Sequence, residues 1–545
     1  MNRKATFEKY APELSSAQIS PVLRNILSNW LCYLIYFAIS FFLSPFVVRR
    51  LGDSGYGIWT LTLSVTGYLG LLDLGVRGAV TRYVAKFHAQ AADDQASRVV
   101  SSSLMIFLAT GVIAIVSSGV LALSVVGVLN IPASYQPTAK IVVILTGINV
   151  AVSLVSGVFG GVVTALQRSD LSNGLQIIGT VFRSVAIVLV LSQGRGLVSL
   201  AVVHLVFGVL TGLAYWVLAL RLYPGLKINF GRCDMESVKL IFWISAYSLP
   251  LQGATYLIFY TDSVVISSFL PISAVTFFAI AGNLVGYGRS LLAGISTISS
   301  PLASALEAKG DLEGLKRVLL KGSRLASMVF LPIGITLLLR GDSFVGLWMG
   351  PSYAVLTGNV LVILTLAQLI ASGNCVPASV TMGIGRHKGM VPAVLAEALC
   401  NLVLSILLVR RYGIIGVALG TALPNLAVHL FFWPWFIRRV YGVRPINYVL
   451  STWIRPGLAA LPFALCTYAV QKWWPATNVW VFLLQVALAV PIALFAFWFL
   501  CVTREERSDY SQKLLKTLLS SSRIFRGLEP SGGLPSVRPS PALKR

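Results

Sequence analysis

Charge is scarce in this chain, and acidic charge is the scarcest. Only 11% of its 545 residues are Asp, Glu, Lys or Arg, against roughly one quarter in soluble domains, while 56% are hydrophobic. That balance excludes water as the main solvent. The outer connections are short and nearly free of acids, and the chain has neither a long catalytic loop nor a GxxxxGKS phosphate loop. An integral-membrane glycosyltransferase or polymerase would need paired carboxylates near an aqueous face or a long catalytic loop, and an ATPase the phosphate loop, so the sequence argues against an enzyme and implies no cofactor. The six cysteines, Cys32, Cys233, Cys375, Cys400, Cys466 and Cys501, show no CxxC spacing and no histidine cluster beside them. Neither a disulfide frame nor a metal site follows. His204 and His429 stand alone in apolar runs without a carboxylate near in sequence, and read as satisfied inside the bundle rather than as proton carriers.

What the chain does have is basic charge and long apolar runs. The formal charge of +24 is the footprint expected of a nucleic-acid partner. Here, however, Lys and Arg sit between apolar runs and in the tails, where they orient helices and meet anionic headgroups, so no nucleic acid is expected. The runs reach about 20 residues or more, enough to cross about 30 Å of hydrocarbon. No cleavable signal is expected either, because the first run follows about two dozen mostly polar residues and is too long for a signal core.

The runs predict helices at Asn25–Val48, Tyr56–Val76, Val99–Val125, Ile141–Leu166, Leu175–Leu191 and Leu197–Leu220. After a polar break at Tyr223–Val238, a second set falls at Leu240–Leu270, Val275–Leu302, Leu325–Leu339, Val360–Ile384, Val391–Val409 and Ile414–Ile437. Two more, Leu458–Val470 and Val479–Cys501, bring the total to about 14 crossings. With the amino terminus placed in the cytoplasm, Lys and Arg divide roughly 33 to 8 in favour of the cytoplasmic loops. A multi-pass protein of the inner (cytoplasmic) membrane with both termini inside is the expectation. The tail carries Leu514, Leu515, Leu518 and Leu519 at helical spacing, which suits a helix lying on anionic lipid, and its Pro, Ser and Gly content beyond Gly527 predicts disorder.

Landmarks recur at about 218 residues: Trp216 with Tyr223 and Trp435 with Tyr441, VVTALQR ending at Arg168 and SVTMGIGR ending at Arg386, and DDQASRVV and DLEGLKRVL. An even number of helices per copy gives both copies the same orientation, so an axis along the membrane normal relates them, and two such lobes can rock about a central cavity. The expected organisation is an N-terminal segment 1–24, an N-lobe 25–222, a cytoplasmic linker 223–239, a C-lobe 240–440, two further helices in 441–502 and a basic tail 503–545.

The stretches VVRRLGDSGYGIW (Val47–Trp59) and LLDLGVRGAVTRY (Leu71–Tyr83), with the Pro301 helix end leading into GDLEGLKRVL, resemble the O-antigen and capsule repeat-unit flippases. These form the polysaccharide transporter branch of the multidrug/oligosaccharidyl-lipid/polysaccharide (MOP) flippase superfamily. The resemblance covers the 12-helix body and the two extra helices. It implies a MATE-like all-α fold and, as cargo, an undecaprenyl-diphosphate-linked oligosaccharide, with a polysaccharide polymerase and glycosyltransferases of the same pathway as partners alongside membrane lipids. A MATE-type drug antiporter is the nearest rival. Such antiporters typically carry an aspartate in the first helix, whereas Asn25–Val48 contains no acid, which leaves Asp262 or Glu397 as the replacement that this reading would need.

Ionisable residues at membrane depth are costly and mark function by default. Asp262 lies in a polar stripe with Ser248, Gln252, Thr255 and Tyr256 on one face of the seventh helix. On the eighth helix Arg289 shares a stripe with Gly282, Gly286 and Ala293 near Asn283, and related lipid flippases are similar in carrying an arginine at about this place. A guanidinium fork suits a diphosphate better than an ammonium does. Arg289, Asp262, Gln252, Tyr256 and Asn283 are therefore the expected cavity residues, the alternative being that Arg289 and Asp262 pair as structural glue. Asp73 and Arg77 are expected to bracket the cytoplasmic end of the second helix as a gate or as caps. Arg183 and Glu397 fall in the outer part of each lobe as structural or coupling groups. Pro250, Pro271 and Pro301 are expected to kink the helices beside them.

Overall fold

The computed structural model describes residues 16–508 except 125, 126, 128, 230, 232–234, 247, 248 and 505. Cys233, Ser248 and the tail with Leu514 and its neighbours lie outside the described residues. Within them the chain is nearly all helix, the arrangement that satisfies backbone hydrogen bonds inside hydrocarbon. The crossings are α1 (16–51), α2 (53–89), α3 (Asp93–Ser124), α4 (Gln136–Ala165), α5 (Ser169–Ser192), α6 (Leu197–Leu222), α7 (Leu249–Phe269), α8 (Ser273–Ala308), α9 (Leu312–Trp348), α10 (Pro351–Ser372), α11 (391–412), α12 (414–441), α13 (445–473) and α14 (Val479–Leu500).

Among the described residues 11 stretches are long and apolar enough to span a membrane, two of them of double length, 28–89 and 387–441. Each double stretch reverses at a glycine with positive φ, Gly52 (71°) and Gly413 (59°), a conformation that L side chains rarely adopt. The polar stripe of α7 lowers its hydropathy and hides it from such a count; with it the total is about 14.

Several helices outrun their apolar runs. The ninth, expected at Leu325–Leu339, extends over Leu312–Trp348, because its polar first turns continue the helix past the hydrocarbon boundary. Asp311 caps that helix by accepting from the Gly314 N–H at 2.7 Å. Pro250 sits in the first turn of α7 and Pro271 in the turn before α8, where no helical hydrogen bond is lost, so of the three expected kinks only Pro301 lies inside a helix. Asp73 and Arg77 do not close α2. A 3₁₀ segment, Tyr68–Asp73, and left-handed Leu74 and Gly75 interrupt it, after which Val76–Ala89 continues as helix.

The repeat is visible in the backbone. Positive φ recurs at Ala91 and Gly310, Gln167 and Gly385, and Gly194 and Gly413, each pair about 218 residues apart. Within the first lobe α4 packs on α3 and α6, and the α1–α2 pair on α5; within the second α9 packs on α10, and α7 on the α11–α12 pair. α13 and α14 lie against α9. Arg340 of α9 fastens them, fully buried, with its guanidinium donating to Gln471 of α13 at 2.8 Å and Gln485 of α14 at 2.5 Å.

The core is joined at one end and divided at the other. Around Asp53, one apolar cluster draws Val48, Ile58 and Leu197 from the first lobe together with Ile272, Val275 and Trp348 from the second. Toward the opposite end each lobe has its own cluster, Val84, Val99 and Val158 in one, Leu315, Leu319 and Val376 in the other.

Candidate functional site

The joined end is built by the LGDSGYG turn. Gly52 reverses the chain, the Asp53 carbonyl accepts from Thr276 Oγ1 at 2.6 Å, and the Asp53 carboxylate accepts from the Tyr353 hydroxyl of α10. Gly57 lets α2 touch the backbone of the other lobe, since a Cβ there would fall 2.3 Å from the Ile272 carbonyl oxygen. Asn283 donates to Tyr56 Oη at 3.2 Å, and Trp348 Nε1 donates to the Phe41 carbonyl at 3.0 Å. Lower down, Tyr68 and Thr261 share a hydrogen bond of 2.7 Å.

Below this seal the polar residues expected to share one cavity fall into two. Asp262, Arg289 and Asn283 line a cavity of about 360 Å³ between α2, α7, α8, α10 and α12, together with Gln368, Thr421 and Asn425. Gln252 and Tyr256 line a larger one of about 750 Å³ on the N-lobe side, with Asp73, Arg77 and Arg183. Arg183, expected in the outer part of its lobe, thus faces a chamber. Tyrosines stand between the two: Tyr256 and Tyr260 stack at 5.6 Å, and Tyr68 meets Tyr260 edge-on at 5.7 Å. They fit against α2 at Gly67 and Gly70, where a Cβ would lie 2.5 Å from the Tyr260 ring and 2.8 Å from Tyr256 Oη.

Arg289 and Asp262 do not pair. Asp262 is buried and its two oxygens accept from the Thr421 hydroxyl at 3.0 Å each, with no cation within ion-pair distance among the described residues. The Arg289 guanidinium lies 4.2 Å from the Phe259 ring centroid, a cation–π contact, and among the described residues its N–H fork meets no acceptor. Around it α8 is bare, because Cβ atoms at Gly282 and Gly286 would meet nothing within 4 Å. The result is a cation with room before it.

Glu397 is buried on α11 and accepts from Asn425 Nδ2 at 2.8 Å, one helical turn from Thr421 on α12. Asp73 and Arg77 form an ion pair of 3.4 Å at the wall of the larger chamber. His429 bonds Asn374 at 2.9 Å and His204 packs on Trp59 at 4.9 Å. Among the described residues no group of three or more His, Cys, Asp or Glu converges as a metal site would require.

Three lining residues were not foreseen: Tyr260, off the expected stripe of α7, and Asn149 and Thr421, isolated polar groups in the apolar runs of α4 and α12. A signal did exist in the glycines of α4 and α6: Gly157, Gly160, Gly161, Gly208 and Gly212 share the chamber wall.

The sequence is 21% identical to membrane protein EpsK of Bacillus subtilis, which is named as uncharacterised, over 90% of this chain and 98% of that one. It is 23% identical to a Shigella flexneri protein provisionally named an O-antigen transporter, over 73% of this chain and 94% of the relative. In fold it is similar to the lipid II flippase MurJ in an inward closed conformation, with a TM-score of 0.67 at 14% identity, covering 88% of this chain and 98% of that one. An inward-facing multidrug resistance MATE transporter of the MOP superfamily aligns with a TM-score of 0.61 at 16% identity, over 75% and 95%. The expected MATE-like fold, two six-helix lobes with two further helices, is therefore the observed one. The sequence model of the polysaccharide biosynthesis protein family matches residues 22–307, more than half of the chain, and this multi-pass membrane protein belongs to that family.

Proposed function

We propose that the protein is a flippase which carries a lipid-linked oligosaccharide of the undecaprenyl-diphosphate type across the cytoplasmic membrane by alternating access. The observation that carries this reading is Arg289, a guanidinium without a carboxylate partner among the described residues, set in a cavity between the lobes with glycines leaving space before it. A diphosphate supplies paired acceptor oxygens for such a fork. The names of the Shigella relative and of the MurJ neighbour point the same way.

On this reading both termini are cytoplasmic, the Asp53 end faces outward, and the conformation is sealed outside. The units that rock are 25–222 and 240–440, with 441–502 riding on the second. The linker travels with the N-lobe, since the Lys227 and Asn229 N–H groups donate to Ser97 and Ser101 of α3. Asp262, near the same cavity, balances the charge of Arg289 when phosphate leaves. The work is transfer rather than bond-breaking, and the polymerase and glycosyltransferases that use its product are separate proteins.

Replacing Arg289 with Ala is expected to lower translocation of a fluorescent undecaprenyl-diphosphate saccharide in proteoliposomes by at least about 100-fold, on the order of 3 kcal/mol for a charge-assisted fork. Membrane abundance stays normal, and Lys at this position restores part of the activity. Undiminished flipping by the Ala variant would remove the proposal.

A further inference from the structure

The larger chamber has a chemistry of its own. Arg77 is neutralised by Asp73, but Arg183, half-buried at the wall, has no carboxylate within ion-pair distance among the described residues. The chamber therefore carries one uncompensated positive charge. Its other polar groups are neutral and belong to the kinds that bind hydroxyls: Gln176 donates to Tyr215 Oη at 3.3 Å, and Ser172 shares a hydrogen bond with the same oxygen at 2.8 Å. Two amide oxygens, Asn149 Oδ1 and Gln252 Oε1, are shut off from solvent and have no hydrogen-bond partner among the described residues. Each such orphan costs about 1–3 kcal/mol, which a ligand O–H or N–H would recover after a side-chain rotation.

The walls are cut back to make room. Glycines admit the lining side chains: a Cβ on Gly208 of α6 would fall 2.1 Å from Asn149 Oδ1 of α4, and one on Gly157 of α4 would fall 2.7 Å from the Arg77 guanidinium of α2. Gly78, by contrast, opens on empty space, and the volume of about 750 Å³ lies within the roughly 300–1,000 Å³ of small-molecule sites.

We propose that this N-lobe chamber is a saccharide subsite for an acidic sugar, a hydroxylated ring whose carboxylate is held by Arg183 while Asn149 and Gln252 accept from its hydroxyl or amide groups. This rests on the lipid-linked saccharide reading above and divides the cargo between the lobes: diphosphate at Arg289, sugar at Arg183, with the tyrosines between them. A diphosphate would use the guanidinium but leave the amides, the tyrosine hydroxyls and most of the volume without a role.

The test uses the full chain in lipid nanodiscs, with glucuronate, glucose and farnesyl diphosphate as probes followed by saturation-transfer NMR into the tens of millimolar. Glucuronate is expected to bind the unsubstituted protein at least about tenfold more tightly than glucose. Arg183→Gln and the chamber-filling Gly78→Leu each weaken it about tenfold, and Arg183→Lys, which keeps the charge and loses the fork, weakens it less. Farnesyl diphosphate responds to Arg289→Gln instead. Absence of glucuronate binding, equal binding of glucose, or indifference to both Arg183→Gln and Gly78→Leu overturns the subsite, as does loss of glucuronate through Arg289→Gln alone. If glucuronate behaves as expected while farnesyl diphosphate fails to bind, the phosphate role of Arg289 falls and the saccharide subsite stands.

Discussion

At the Asp53 end the two lobes share one apolar core, whereas at the opposite end each keeps its own. The difference comes from which residues face the pseudo-twofold axis. At the joined end these are a glycine that removes a side chain, Gly57, and short polar groups that bond across, Asp53 to Thr276 and Tyr353. At the divided end the inward faces carry Arg77, Gln252 and Arg183, and their polar walls leave a chamber instead of a seam. On the proposed flippase reading one end must close by packing and the other open by solvation, and the sequence supplies the two kinds of surface on opposite halves of the same helices.

The comparison breaks most sharply at Gly57. Gly57→Val forces a branched side chain into the Ile272 carbonyl, and the joined end is expected to lose on the order of 1–3 kcal/mol through overpacking. A lowered melting temperature in detergent and new reactivity toward an impermeant thiol reagent added from outside would report it. An unchanged melting temperature with no new reactivity would show that Gly57 does not set the seal.

Tyr353→Phe is gentler. It removes the hydroxyl that donates to Asp53 and leaves the ring packed on Phe277, so a loss of about 1 kcal/mol is expected, roughly a fivefold shift toward opening at that end. Distances between spin labels flanking Asp53 and Tyr353 would register the shift, and an unaltered distribution would place the closing energy in the apolar cluster alone.

The smallest effect belongs to the divided end. Glu506, buried beside Lys321 and Arg324, has its carboxyl pulled down to about 2; burial opposes the charge, but the Thr503 N–H and the two cations outweigh it. A depressed carboxyl adds stability above its unfolded pKa of about 4.5 and loses it as pH falls toward 2. Melting temperatures measured across that window are expected to fall more steeply for the unsubstituted chain than for Glu506→Gln. Equal slopes would mean that the tail's attachment to α9 contributes nothing.

Much of this architecture was legible in the residues. Apolar runs gave the crossings because hydrocarbon thickness fixes helix length, and the recurrent landmarks gave the duplication, now seen as paired left-handed turns at Gln167 and Gly385. The charged candidates on α7 and α8 were legible because charge in lipid is costly. What stayed hidden depends on rotation and neighbours. Periodicity placed Asp262 and Tyr256 on one stripe, yet the tyrosines cross α2 at Gly67 and Gly70 and put them in different chambers. Nor did a run of apolar residues around Arg183 disclose that the facing helices are trimmed to glycine.

The proposed flippase requires a hollow between the lobes that is wet, cationic and closed at the Asp53 end. Replacing Gly286, which faces open space one turn from Arg289, with Cys in a background free of the native cysteines gives a reporter inside it. In sealed right-side-out and inverted vesicles, a membrane-impermeant maleimide is expected to label that cysteine from the cytoplasmic face, with little reaction from the other. Equal labelling from both faces, labelling from outside only, or inertness to the water-borne reagent alongside reaction with a lipid-soluble one would contradict it.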